Sequence, residues 1–387
     1  MQTPTANWNY PTSIKVGAGR IRELPAHCRA LGMSRPLLVT DPGLAGLPIV
    51  TSTLALCRAE GLECGLFAEV KGNPTGGNVT AGVAAFHAGR HDGVIAFGGG
   101  SALDAAKAIA LMAGQDRPLW DFVDEGDNYL RVKVEGMAPV VAVPTTAGTG
   151  SEVGRASVIV DESTHAKRII FHARMLPAVV LLDPELTVAL PPRLTAATGM
   201  DALSHSLEAL CSPFYHPMAT GIGMEGCHLI HQYLRRAVAD GSDLQARTQM
   251  LVASSMGATA FQKGLGAIHA LAHPLGAIYD AHHGTLCAIL MPYVLKANEQ
   301  AVAPTMAQLA RYMGLAQGSF AALLDWVLEL RESIGIPHTL REIGVPDDAV
   351  GRIGAQAAAD PSASTNPIPF SAAQYDAILR DAITGTL

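Results

Sequence analysis

Charge is scarce in this chain of 387 residues: Asp, Glu, Lys and Arg together make up only 16%. Acids outnumber bases, giving a formal net charge of −7, and no run rich in Lys and Arg occurs. Nucleic acids and anionic membranes are held by such cationic runs, so neither partner is expected. The chain also lacks an uninterrupted apolar stretch of about 18 residues, so no membrane span is expected. The opening "MQTPTANWNYPTS" has no basic region and no apolar region, and no secretory leader is expected there. Cysteines are few, six in all, and none forms a C-x-x-C pair. That argues against a disulfide framework and for reduced, buried thiols in a cytoplasmic protein.

Apolar residues are plentiful, at 49%. With this length they suggest two cores rather than one. In the first half, short apolar runs alternate with helical patterns. "PLLVTD" (36–41), "CGLFAEV" (64–70), "GVIAFGGG" (93–100) and "PVVAVPTT" (139–146) read as strands. Residues 47–61, 78–90 and 101–114 read as helices. Fully apolar strands alternating with helices predict a parallel sheet covered on both faces. Further strands are expected at 155–161, 167–172 and 178–186. Beyond "LPPRLTAATG" (190–199), Ala/Leu/Met segments at helical spacing dominate. The expected fold is α/β plus all-α. An N-terminal Rossmann-like parallel-sheet domain spans residues 1–190, and a helical domain spans 191–387.

Two loops suit a dinucleotide. "FGGGSALDAAK" follows a strand and opens a helix. Its glycines allow close approach of a phosphate, and the helix start offers free N–H groups, with Ser101 as cap or ligand. It is not a G-x-G-x-x-G fingerprint, so a plain strand-to-helix turn remains the alternative. "PTTAGTGSEVG" adds the hydroxyls of Thr145, Thr146, Thr149 and Ser151 at a second strand end. Asp41, after the strand at 36–40, either accepts from a ribose 2′-hydroxyl or caps a turn. "VGAGRIREL" (16–24) reads as an ordinary turn.

In the helical half, "GLGAIHALAHPLGAIYDAHHGTL" (264–286) concentrates His269, His273, His282 and His283 among apolar residues. Asp201 and His205 in "GMDALSHSLEAL" stand at i and i+4, on one helix face, as do His269 and His273. A carboxylate with several imidazoles is a divalent-metal set suited to Zn²⁺ or Fe²⁺, the alternative being core histidines. "HALAH" has no glutamate between its histidines, unlike the metalloprotease motif.

Taken together, "GGGSALDAAK", "PTTAGTGSE", "DALSHSLEAL", "HALAHPLGAIYDAHHG", "NPT" (73–75) and "DPSASTNP" (360–367) resemble the iron-containing (group III) alcohol dehydrogenase family, from about residue 10 to the C-terminus. The resemblance implies a dehydroquinate synthase-like architecture. It implies that Asp201, His205, His269 and His283 bind Fe²⁺ or Zn²⁺, and that His273 is catalytic near the metal and nicotinamide. It further implies that Gly99, Gly100, Ser101 and Asp104 hold the pyrophosphate of NAD, that Thr145, Thr146 and Thr149 form the second cofactor loop, and that Asp41, Asn73 and Lys167 surround the rest of the cofactor. NAD is expected over NADP because of Asp41. A homo-oligomer, a dimer, is also implied.

The activity this implies is hydride transfer between a small alcohol and its aldehyde or ketone, with His273 passing the proton. Two other classes are weighed against it: a dehydroquinate synthase-like lyase using NAD and a metal, and a metal-dependent hydrolase. The chain departs from the family pattern at His282, at Gly154–Arg155 and at Lys263. Arg155 and Lys263 would suit a short substrate with an anionic tail.

Overall fold

The computed structural model describes residues 12–164 and 166–387. The opening stretch read above for a leader, and with it the start of the domain expected at 1–190, lies up to residue 11 outside the described residues. The chain forms two compact units. One comprises residues 12–146 and 150–189, the other residues 147–149 and 190–387.

The first unit is built on a six-stranded sheet of β1 (Ser13–Val16), β2 (Pro36–Val39), β3 (Gly65–Phe67), β4 (Gly93–Gly98), β5 (Val140–Pro144) and β8 (Val179–Leu182). Its spatial order is β1-β8-β5-β4-β2-β3, and every pairing is parallel. All residues of β2, β4 and β5 are buried, which is why these strands carry no polar side chain. Helices α1 (Leu24–Ala30), α2 (Pro42–Ala45), α3 (Pro48–Ala59), α4 (Gly76–Ala88) and α5 (Gly100–Met112) make the crossovers. A separate antiparallel hairpin, β6 (Ala156–Asp161) with β7 (Ala166–Phe171), completes the unit. The strand expected at 64–70 is shorter than its apolar run. β1, the edge strand "SIKV" with no fully buried residue, has no apolar signature to announce it.

The second unit is helical: α6 (Pro192–Cys211), α7 (Pro217–Ala239), α8 (Leu244–Ala260), α9 (Ala267–Tyr279), α10 (His283–Tyr312), α11 (Phe320–Ser333), α12 (Arg352–Ala359) and α13 (Ala372–Thr384). Its core runs continuously through Met200, Leu203, Leu207, Ile230, Leu271, Leu290, Leu323 and Tyr375. α6 is the central helix, buried from Thr195 to Leu210 apart from Thr198. All six cysteines are free thiols. No helix of the described residues is long and apolar enough to cross a membrane.

Candidate functional site

In the sheet unit, Asp41, Asn73, Gly99 and Thr145 follow the C-terminal ends of neighbouring parallel strands, the end where open α/β sheets bind ligands, whereas Lys167 lies on the hairpin strand β7. Gly98 pairs in register with Pro144, and the Thr145 amide donates to Gly98 O at 2.9 Å. This pairing sets the 98–101 and 144–146 loops side by side, with the Thr146 side chain against Gly99. Gly98 has φ 139°, and a Cβ there would stand 2.9 Å from the Ala102 Cβ, so only glycine fits this turn. Gly99 is the N-cap of α5 and makes no side-chain cap, which leaves the first N–H groups of that helix for an anion. The residues therefore fit a pyrophosphate.

Ser101 does not cap α5; its hydroxyl donates to Gly72 O at 2.5 Å. That bond ties the loop of Asn73 to the start of α5. The same loop is tied to the hairpin through the Val160 amide, which donates to Pro74 O at 2.8 Å, and Val160 pairs with Lys167. Asp104 is buried, accepting from Ser151 Oγ at 2.5 Å and the Val158 amide at 2.9 Å, with Lys107 Nζ at 3.3 Å. It therefore anchors the second loop to the first. Asp41 is the N-cap of α2, accepting from the Leu44 amide at 3.1 Å. Thr149 groups with the helical unit, while Thr145 and Thr146 stay with the sheet. Half-buried Arg155 lies over the Phe171 ring at 5.5 Å from its centroid and is faced by the Asp124 carboxylate.

In the helical unit, three helices converge on one polar cluster. α6 supplies Asp201 and His205 one turn apart, with His205 Nε2 at 3.8 Å from Asp201 Oδ1. α10 begins with His283, whose Nε2 is 3.6 Å from the same oxygen. This approach depends on Gly284, where any Cβ would run into the Ala197 carbonyl of α6. α9 supplies His269, whose ring stacks on His205 with centroids 4.9 Å apart, and His273, stacked on His283 at 5.7 Å. Asp201, His205 and His269 are each 2–3% exposed, whereas His273 and His283 keep side-chain exposures of 17% and 28%. The cluster is thus sealed on one side and open on the other.

The electrostatics suit a cation. Asp201 Oδ1 and His269 Nε2 are buried and lack hydrogen-bond partners. Such groups are costly unless something satisfies them. Burial above all pushes His205 down to about 4, which keeps the imidazole neutral and able to donate a lone pair. Burial also disfavours the cation on His269, but the Glu208 carboxylate outweighs it and raises that imidazole above its ordinary value. Glu208 Oε2 binds His269 Nδ1 at 2.5 Å, and Oε1 accepts the Ile268 amide at 2.7 Å. Asp360 Oδ2 binds His273 Nδ1 at 2.9 Å. Asn366 accepts the Ala267 amide at 3.1 Å and thereby fixes the start of α9. His282, expected beside the cluster, is the exposed N-cap of α10, 3.4 Å from Thr285 Oγ1.

No local pattern in the sequence singles out Glu208, Asp360 and Cys287 as site residues. Glu208 sits in the helical pattern of Asp201 and His205, and Asp360 in the "DPSASTNP" stretch, but their partners are 61 and 87 residues distant. Cys287 sits four residues after His283, with Sγ 3.7 Å from its Nε2. One donor atom from each of Asp201, His269, His283 and Cys287 lies within 4.8 Å of the others.

A glycine turn that fits a phosphate at the end of a parallel sheet in one unit, and a buried carboxylate–imidazole cluster in the other, suit a metal-dependent oxidoreductase. The sequence profile described as "Iron-containing alcohol dehydrogenase" matches residues 11–184, and that of "Fe-containing alcohol dehydrogenase family, C-terminal" matches residues 195–383. A 4-hydroxybutyrate dehydrogenase of Cupriavidus necator is 39% identical over 386 residues, covering 97% of this chain and 99% of its own. The crystal structure of a 1,3-propanediol oxidoreductase superposes with a TM-score of 0.91 at 35% identity, covering 98% of this chain and 100% of its own. A sulfoacetaldehyde reductase from Bifidobacterium kashiwanohense in complex with NAD+ superposes with a TM-score of 0.89 at 27% identity, covering 99% and 100%. The chain belongs to the iron-containing alcohol dehydrogenase family and is an oxidoreductase that interconverts alcohols and aldehydes.

Proposed function

We propose that Asp201, His205, His269 and His283 hold one divalent metal, iron before zinc, and that the enzyme reduces or forms a short aldehyde with an anionic tail, using NAD. The observation that carries the metal assignment is the pair of buried atoms without a hydrogen-bond partner, Asp201 Oδ1 and His269 Nε2, beside the rings of His205 and His283. The family's iron-containing description favours iron over zinc. When bound, the metal supplies a Lewis acid that polarises the substrate oxygen and lowers the pKa of the alcohol. NAD supplies the hydride acceptor. His273, partly open and held by Asp360, takes the proton and passes it outward.

The sheet unit is the dinucleotide-binding domain and the helical unit the metal-binding domain, with the change near residue 190. Gly99 and Gly100, with the start of α5, receive the pyrophosphate, and Ser101 and Asp104 fix the loops around it. Thr145, Thr146, Thr149, Asn73 and Lys167 contact the remainder. Asp41 disfavours NADP by repelling a 2′-phosphate. The NAD+ complex of the sulfoacetaldehyde reductase supports this choice of cofactor. The enzyme acts as a homodimer in the cytoplasm, on a small molecule.

The anionic tail rests on Lys263. It is only 8% exposed, and among the described residues no carboxylate lies within ion-pair distance of it. Burial holds its ammonium below the ordinary lysine range. It ends the short helical turn Phe261–Lys263, whose Phe261 packs edge-on against His205 with centroids 5.1 Å apart. A buried cation without a protein counter-ion suits a carboxylate or sulfonate. Two of the relatives above act, by name, on 4-hydroxybutyrate and on sulfoacetaldehyde. The test compares two aldehydes of equal length, one ending in a carboxylate and one in a methyl. Lys263→Met should lose about 30- to 150-fold in kcat/KM for the acid, the worth of a charge-assisted contact of about 2–3 kcal/mol, and little for the neutral compound. Equal losses on both would reject the anionic tail.

A further inference from the structure

The sheet unit carries a cleft of about 500 Å³, lined by none of the residues assigned above to the metal or the dinucleotide. Its lining is largely apolar, with Val79 and Val83 on α4, Met112 at the end of α5, and Leu119. The half-buried indole of Trp120 lines it too, as do Asp161 and Glu162, where β6 ends and the chain turns towards β7. Two glycines at the start of α4 make room for these groups. A Cβ on Gly76 would stand 2.6 Å from Cζ2 of Trp120, so the indole lies against the helix only because position 76 has no side chain. The Gly77 amide donates to Glu162 Oε2 at 3.1 Å, and a Cβ there would come within 3.1 Å of the same oxygen. The carboxylate is thereby fixed on the same cleft as the indole. Among the described residues neither Asp161 nor Glu162 has a lysine or arginine within ion-pair distance. Arg168 of β7 lies instead 3.6 Å from Glu125, and Arg117 lies 3.3 Å from Asp121.

A cleft of this volume is the size of a small-molecule site. Its apolar side chains suit an apolar body. The face of an indole attracts a cation, and so do carboxylates that have no cationic partner in the protein. We propose that this cleft binds a small organic cation with an apolar body, such as a substituted ammonium, at a site separate from the dinucleotide. The competing reading is a surface groove with no ligand of its own.

Calorimetric titration of the full-length protein with benzyltrimethylammonium separates the two. The probe should bind one site per chain with a Kd of about 1 mM. Neither phenylacetate, an anion of similar size, nor saturating NAD should displace it. Glu162→Gln removes the charge of an exposed side chain and keeps its shape, and should weaken the probe about two- to fivefold. Trp120→Leu should weaken it about three- to thirtyfold. Absence of saturable binding overturns the site. Displacement by phenylacetate overturns the preference for a cation. Displacement by NAD, or an affinity that neither substitution alters, places the probe elsewhere and overturns the site as well. The wild-type titrations and Glu162→Gln decide the matter even if Trp120→Leu does not fold.

Discussion

Glu208 Oε2 lies 2.5 Å from His269 Nδ1, wholly inside the helical core. Its other oxygen is occupied by the Ile268 amide, so the carboxylate has one orientation and the imidazole one tautomer. With the proton on Nδ1, the lone pair of Nε2 faces the cluster. In Glu208→Gln the amide nitrogen can present a donor to Nδ1 and favour the opposite tautomer. Metal affinity should fall about 10- to 100-fold, measured by chelator competition, with the circular dichroism spectrum retained. Unchanged affinity would mean that Glu208 only holds the start of α9.

Gly284 allows α10 to start against α6. Alanine there would press on the Ala197 carbonyl and push His283 away from Asp201. Gly284→Ala should destabilise the protein by about 1–3 kcal/mol in urea unfolding and lower metal content, because overpacking and ligand displacement share one cause. Loss of stability with full metal content would separate the two.

Asp41 caps α2 and is proposed to repel a 2′-phosphate, and two substitutions divide these roles. Asparagine keeps the cap on the Leu44 amide and removes the charge; alanine removes both. Asp41→Asn should raise the kcat/KM ratio for NADP over NAD at unchanged stability. Asp41→Ala should do the same and lose about 1 kcal/mol. If neither alters the cofactor ratio, Asp41 is a turn residue alone.

Asp92 provides a check on pH. Burial raises its pKa, but bonds from the Ser34 hydroxyl and amide and the Arg35 amide outweigh this and hold it below the ordinary 3.8. A carboxyl depressed on folding stabilises the native state above its unfolded pKa, and that contribution is lost as pH falls through the folded value. Asp92→Ala should therefore cost about 1 kcal/mol near neutral pH, a modest amount because the group is partly solvated. The gap to wild type should close as the pH falls below the unfolded value. A gap that persists at lower pH would show that packing, and not the ionised carboxylate, is responsible.

Several features were legible in the sequence because they are local. β2, β4 and β5 are apolar at every position, since a parallel sheet covered on both faces buries both sides of a strand. Asp201 and His205 were legible as a pair because a helix places i and i+4 together. The change of texture near residue 190 was legible because strand and helix periodicities differ, and residues 190–387 group into the helical unit. β1 stayed hidden because an edge strand need not be apolar.

Tertiary structure alone decided how α6, α9 and α10 meet, because that depends on close packing at points such as Gly284 against Ala197, which no periodicity encodes. Those crossings brought His283 to Asp201 and Glu208 to His269, and the packing of α12 on α9 brought Asp360 to His273, from positions far apart in the chain. They also turned Cys287 toward the cluster. In the sequence that thiol is indistinguishable from a small core residue, because burial asks the same of both.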